Sequence, residues 1–108
     1  MSSHVNLGQF EQITLLAILR LGDDAYGVSI RDEIREHTGR RVAAGALYTT
    51  LSRLESKALV SSRLGAPTAA RGGRAKRFYG VTATGRKALV AAQRSYQSLM
   101  RGLEILEQ

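Results

Sequence analysis

Ala44-Gly45-Ala46-Leu47-Tyr48-Thr49-Thr50-Leu51-Ser52-Arg53-Leu54-Glu55-Ser56-Lys57, running directly into Ala58-Leu59-Val60-Ser61-Ser62-Arg63-Leu64, decides the fold. At 100° per residue, Leu47, Leu51, Leu54 and Ala58 fall in one narrow sector, so residues 44–57 are expected to form a helix with a single apolar edge. Gly45, Thr49, Ser52 and Ser56 lie opposite, flanked by Tyr48 and Arg53. This outer face is small and polar and has no glutamate–lysine ladder, which suits close approach to another surface. Residues 59–64 and 76–81 are short and β-prone. The stretch between them, with Pro67 and Gly72-Gly73, reads as the basic tip of an antiparallel hairpin.

Upstream, residues 7–21 are expected to be a first helix. Phe10, Ile13, Leu16, Ala17 and Leu21 follow helical spacing, and Leu15, Ile18 and Leu19 widen the stripe until it runs nearly all round. Such a helix must be covered on most sides. Gly22-Asp23-Asp24 ends it and offers Asp24 as N-cap of a second helix over 25–38. There Tyr26, Ile30, Ile34 and His37 share one face, while Arg31, Asp32 and Arg35 look outward. Gly39 suits the left-handed position after its end, and Arg40-Arg41-Val42 turns into the third helix.

Three helices followed by a basic hairpin is the element order of a winged helix-turn-helix. The expected fold is mainly α with a small β-hairpin wing. Residues 1–81 form the winged helix-turn-helix and 82–108 a C-terminal dimerisation helix, the two making one compact unit. After Thr82 as N-cap the chain runs without Pro to Gln108, a helix of about 25 residues and about 37 Å. In it Leu89, Ala92, Tyr96, Leu99, Leu103 and Leu106 are spaced 3, 4, 3, 4, 3, a heptad seam. A helix this long projects beyond its own domain, and soluble monomers seldom tolerate a continuous exposed apolar stripe. A homodimer is therefore expected, with the first helix packing against the partner's fourth as well as its own.

Charge placement names the partner. The chain carries 16 basic and 9 acidic residues, a net charge of +7. Eleven of the basic residues (Arg40, Arg41, Arg53, Lys57, Arg63, Arg71, Arg74, Lys76, Arg77, Arg86, Lys87) fall between positions 40 and 87. The one acid there is Glu55, so that stretch holds +10 and the remainder −3. A positive block inside a folded region is the footprint of a polyanion, here double-stranded DNA. Gly45 permits close approach, Thr49 and Ser52 can read base edges, and Arg53 can reach guanine or phosphate. A surface pair with Glu33 or Glu55 is the competing role for Arg53. Tyr48 can offer its hydroxyl to the backbone or serve as a core aromatic. Arg71, Arg74 and Lys76 at the hairpin tip face the flanking phosphates or minor groove. Arg86, with Lys87, sits in the first turn of a helix, where the macrodipole disfavours cations by roughly 0.3 to 1 kcal/mol and a nearby phosphate would offset the penalty.

The sequence also resembles the PadR family of bacterial transcriptional regulators. The resemblance lies in Leu15-Leu16-Ala17-Ile18-Leu19, Ala25-Tyr26-Gly27, Gly45-Ala46-Leu47-Tyr48 with Leu51-Ser52-Arg53-Leu54-Glu55, and Lys76-Arg77-Phe78-Tyr79-Gly80-Val81-Thr82 followed by Gly85-Arg86. It covers residues 7–90 and is specific in its combination. Thr49 departs from it, since the family often has proline after the tyrosine. The resemblance implies a dimeric, repressor-like protein on a two-fold symmetric operator, of the smaller type with a single C-terminal helix. Some relatives bind flat aromatic ligands at the dimer interface through a tryptophan on that helix. This chain has no Trp, so no effector is carried over.

Other classes fare worse. His4 and His37 are the only histidines and there is no Cys, so neither a metal cluster nor a Cys–His pair can be assembled, and no cofactor is expected. Asp23-Asp24 and Asp32-Glu33-Glu36 read as caps and a solvated helix face. Residues 39–45 lack the Gly-Lys-Ser/Thr of a phosphate loop, so an enzyme is not expected. A winged helix that binds protein instead of DNA is the remaining alternative, and the basic block argues against it. Residues 1–12 lack the pattern of a signal peptide, and the longest apolar stretch, residues 15–19, is far short of a membrane span. A cytoplasmic protein is expected.

Overall fold

In the computed structural model, which describes residues 6–66 and 75–106, α1 (Gln9–Leu21), α2 (Gly27–Thr38) and α3 (Ala44–Ser56) precede an antiparallel hairpin. The hairpin pairs β1 (Val60–Leu64) with β2 (Arg77–Val81), in the register Val60 opposite Val81 and Leu64 opposite Arg77. A last helix, α4 (Ala83–Met100), follows, and then a 3-10 turn over Glu104–Leu106. Mostly helical with one small hairpin, the fold is the expected winged helix. Its core is the set of apolar positions that the periodicities single out: Leu15 and Ile18 from α1, Ile30 and Ile34 from α2, Leu47, Leu51 and Leu54 from α3, and Leu59 before β1. Burying each such side chain stabilises the fold by roughly 1.5–3 kcal/mol.

The second helix starts later than expected. Ala25 and Tyr26 are extended, and Asp24 belongs to a 3-10 turn instead of capping α2. The reason is the open edge of β2. The Tyr79 amide donates to the Ala25 carbonyl at 2.8 Å, and Tyr26 forms a β-bridge with Phe78. A buried strand edge needs a partner for its backbone groups, and that demand outweighs the helical preference of two residues. Ser29 takes over the cap, its hydroxyl accepting from the Tyr26 amide at 2.9 Å. His37, expected on the inner face, is exposed and paired with Glu33.

Helix α3 ends in a Schellman arrangement. The Leu59 amide donates to the Leu54 carbonyl and the Ala58 amide to that of Glu55, each at 2.9 Å. This closure places Ala58 at φ +60°, in the left-handed region where glycine is usual. Thr82 then fastens α4 to the same turn. Its amide and hydroxyl donate to the carbonyls of Leu59 and Ala58, while its Oγ1 accepts from the Gly85 amide at 3.0 Å. A Cβ on Gly85 would collide with the Leu59 carbonyl oxygen, so only glycine lets the helix start this close.

The C-terminal helix is shorter than expected. It stops at Met100, and Gly102 adopts φ +83°, which breaks the run before Leu103. Gly costs a helix about 1 kcal/mol relative to Ala and enters the left-handed region freely. Leu103 and Leu106 therefore lie past a bend and do not continue the seam of α4.

Candidate nucleic-acid interface

The apolar edge of α3 is buried to within 1% exposure at Leu47, Leu51 and Leu54, which fixes the rotation of the helix. Its opposite face is thereby turned to solvent. Gly45, Tyr48, Thr49, Ser52 and Arg53 are all exposed. None of these side chains makes a hydrogen bond or ion pair to another described residue. Nothing lies within 4 Å of where a Cβ on Gly45 would stand, so the backbone there is open to a close partner. Glu33 is occupied by Arg20 at 2.7 Å and His37 at 3.0 Å, and Glu55 accepts from the Ser62 hydroxyl at 2.8 Å. Among the described residues Arg53 pairs with neither carboxylate. Tyr48 flanks the face half-exposed, with its hydroxyl against Gly27 at the start of α2.

A polar relay joins the hairpin to α3. Arg77 donates to the Ser62 hydroxyl at 3.0 Å, and Ser62 in turn donates to Glu55. Above it, cations stack on aromatic rings. The Arg63 guanidinium lies 4.9 Å from the Phe78 ring centre, and the Lys76 ammonium 4.1 Å from that of Tyr26. Such contacts seat the charged heads on the ring faces, while both residues remain exposed. Arg86 and Lys87 are exposed in the first turn of α4. Arg71 and Arg74 lie outside the described residues.

Behind this face, Lys57 at the end of α3 pairs with Glu11 of α1 at 3.0 Å, and Glu11 also accepts from the Gly8 amide at 2.9 Å. Burial pushes the Glu11 carboxyl up. The Gly8 amide, the Lys57 ammonium and the charge of Arg53 together outweigh it and hold the group below the ordinary carboxylate range. Lys57, counted in the basic block by its position, thus locks α3 to α1. Sequence spacing gives no sign of a pair 46 residues apart. Arg31, expected to look outward, is half-buried and donates through Nε to the Val42 carbonyl at 2.8 Å, bracing the turn between α2 and α3.

The seam residues divide. Leu89 packs into the protomer's own core and Ala92 is half-buried, whereas Tyr96 and Leu99 are 54% and 78% exposed. Leu103 and Leu106 are exposed beyond the helix. On α1, Leu16 and Leu19 remain exposed as well. Among the described residues, no group of three His, Cys, Asp or Glu is placed to hold a metal ion, and no helix is long and apolar enough to cross a membrane.

Comparison with known proteins adds independent findings. Residues 15–91 match the model of the transcriptional regulator PadR-like family. The chain is 37% identical over 79 residues to the transcriptional regulator Rv3488 of Mycobacterium tuberculosis, covering 73% of this chain and 69% of that protein. Among solved structures, it is similar to a PadR family transcription regulator from Clostridium difficile, with a TM-score of 0.70 at 23% identity over 92% of this chain and 99% of the other. It is likewise similar to a PadR-like regulator from Bacillus cereus, with a TM-score of 0.71 at 22% identity over 92% and 91%.

Proposed function

The chain belongs to the PadR-like family of transcriptional regulators, and from that premise we propose that it is a homodimeric, repressor-like protein reading a two-fold symmetric DNA site. Membership makes it a regulator of transcription and not an enzyme. One observation carries the finer reading: the outer face of α3 presents Gly45, Thr49, Ser52 and Arg53 with no partners among the described residues. A helix whose outer residues are small and unpaired fits a major groove roughly 12 Å wide. The basic residues around it supply the phosphate contacts that position such a helix without specifying sequence. The wing arginines Arg71 and Arg74 are assigned to those contacts, as is Arg86.

The dimer rests on the apolar surface left uncovered. Tyr96 and Leu99 on α4, Leu103 and Leu106 beyond it, and Leu16 and Leu19 on α1 are exposed in one protomer. The partner's α4 against α1 and α4 would cover them, as two protomers on a symmetric site require. Residues 82–108 are accordingly assigned as the dimerisation segment, and the compartment as the cytoplasm, where DNA is met. Salt titration of DNA binding tests the reading. With about four phosphates neutralised per protomer, the log–log slope should lie near −7, and a slope shallower than about −3 would exclude the basic face as the binding surface.

A further inference from the structure

At the N-terminal end of α3, opposite the end that carries the hairpin, α2 and the turn after it enclose a shallow concavity. It is lined by Val28, Arg31, Asp32, Arg35, Arg41 and Val42. Three arginine side chains and one carboxylate line it. Arg31 is fixed on the wall by its Nε bond to the Val42 carbonyl and makes no other hydrogen bond among the described residues. Arg41 is exposed and has no carboxylate partner among them. Arg35 reaches Asp32 only at 3.7 Å, with both side chains about 60% exposed, a loose and well-screened pair. Like charges gathered in one hollow repel, and the fold itself uses only the Arg31 Nε. The planar guanidinium fork matches phosphate oxygens.

We propose that this hollow is a second backbone clamp, which seats one phosphodiester of the DNA duplex while the wing grips the strand at the other end of α3. The inference rests on α3 being the DNA-facing helix. A helix about 12 Å across fills the width of the major groove, so basic side chains on the turns flanking α3 are left to meet the sugar–phosphate walls. Helix α3 is about 20 Å long, and both of its ends are basic. Asp32 sets the limit of the site: with three cations and one anion it keeps a net positive charge for a single phosphate.

The test is the double variant Arg35→Gln with Arg41→Gln in the full chain, leaving Arg31 to hold the turn. Affinity for the preferred site and for random duplex should fall by the same factor, roughly tenfold, because phosphate contacts carry no sequence information. Losing one phosphate per protomer should make the salt slope shallower by about 2 for a dimer. Phosphate ethylation should cease to interfere at one position per half-site, on the flank away from the wing. If the wild type binds duplex and the double variant binds it with the same affinity and slope, the clamp is wrong and the reading of α3 stands. If the wild type binds no duplex, both fall. Saturable binding of inorganic phosphate at the hollow with an unchanged DNA slope would make its occupant a free anion and overturn the proposal.

Discussion

The hydroxyl of Tyr48 on α3 rests against the backbone of Gly27 on α2, so closely that a Cβ on Gly27 would overlap it and stand 2.9 Å from the ring carbon Cζ. The contact joins two segments, Ala25-Tyr26-Gly27 and Gly45-Ala46-Leu47-Tyr48, that are far apart in sequence. It sets where the aromatic side chain stands beside the exposed face of α3.

Gly27 and Gly85 both sit in close contacts, but what they meet differs. Gly27 faces the end of a half-exposed side chain that can turn outward, whereas a Cβ on Gly85 would overlap the Leu59 carbonyl oxygen and stand 2.9 Å from Val81 Cγ1. Gly27→Ala should therefore cost about 1 kcal/mol and Gly85→Ala about 3 kcal/mol, the two ends of the range for overpacking. Thermal denaturation of both variants compares them. Equal losses would mean that Tyr48 is as immobile as the backbone. The Gly27 variant should also bind its DNA site more weakly, since the displaced ring moves on the recognition face.

Ala58 holds φ +60° without glycine's freedom. A left-handed residue with a Cβ is strained by roughly 1–2 kcal/mol, and glycine's extra freedom in the unfolded chain takes back part of that gain. Ala58→Gly should stabilise the protein by about 0.5–1 kcal/mol. The check is an upward shift of the urea midpoint with an unchanged slope; a downward shift would refute the strain.

The Glu11–Lys57 pair gives the fold an acid limit. The Glu11 carboxyl is held below its ordinary range in the folded chain, so it adds stability that is fully present above its unfolded pKa and lost as pH falls through the lower folded value. Melting temperature should decline through the acid carboxylate range. Glu11→Gln should flatten part of that decline and cost about 1 kcal/mol at neutral pH, because the amide gives up charge-assisted bonds to the partly exposed Lys57 and to the Gly8 amide. A variant whose melting profile parallels the wild type at every pH would exclude this pair as a contributor.

Much of this was legible in the sequence because burial writes a period into it. Leu47, Leu51 and Leu54 fix the rotation of α3, and its outer residues follow from that rotation alone. The start of α2 was not legible, because Ala25 and Tyr26 answer to the backbone of Tyr79 and Phe78, and no local pattern records a partner more than 50 residues away. The role of Lys57 was hidden likewise, since its charge reads the same whether it meets DNA or Glu11. On α4 the heptad spacing runs on to Leu106, but spacing counts side chains, whereas Gly102 acts on the backbone. Arg71 and Arg74 fall outside the described residues, so their role rests on charge alone.

Positioning and reading should separate by mutation. Arg53→Ala is expected to weaken binding by about 1–3 kcal/mol and to relax preference at one base pair if it contacts guanine. Ser52→Leu should harm the preferred site far more than random duplex, because it fills the face that approaches base edges. Titrating both DNAs with each variant checks this. Equal losses on both duplexes from Ser52→Leu would remove α3 from the reading role.

Leu99 is the most exposed large apolar residue on α4, and Leu99→Lys should place a charge in the dimer seam and yield monomers. DNA affinity should fall with dimerisation, since one winged helix offers half the contacts. Sedimentation alongside DNA titration would show the two losses together, and a monomeric variant with undiminished affinity would contradict the coupling.

The most direct measurement is selection of bound sequences from a random duplex pool by the wild-type protein. A homodimer reading DNA through α3 should enrich a site with two inverted half-sites, centred about one helical turn or a multiple of it apart. Enrichment of a single unrepeated element, or of no sequence at all, would contradict it.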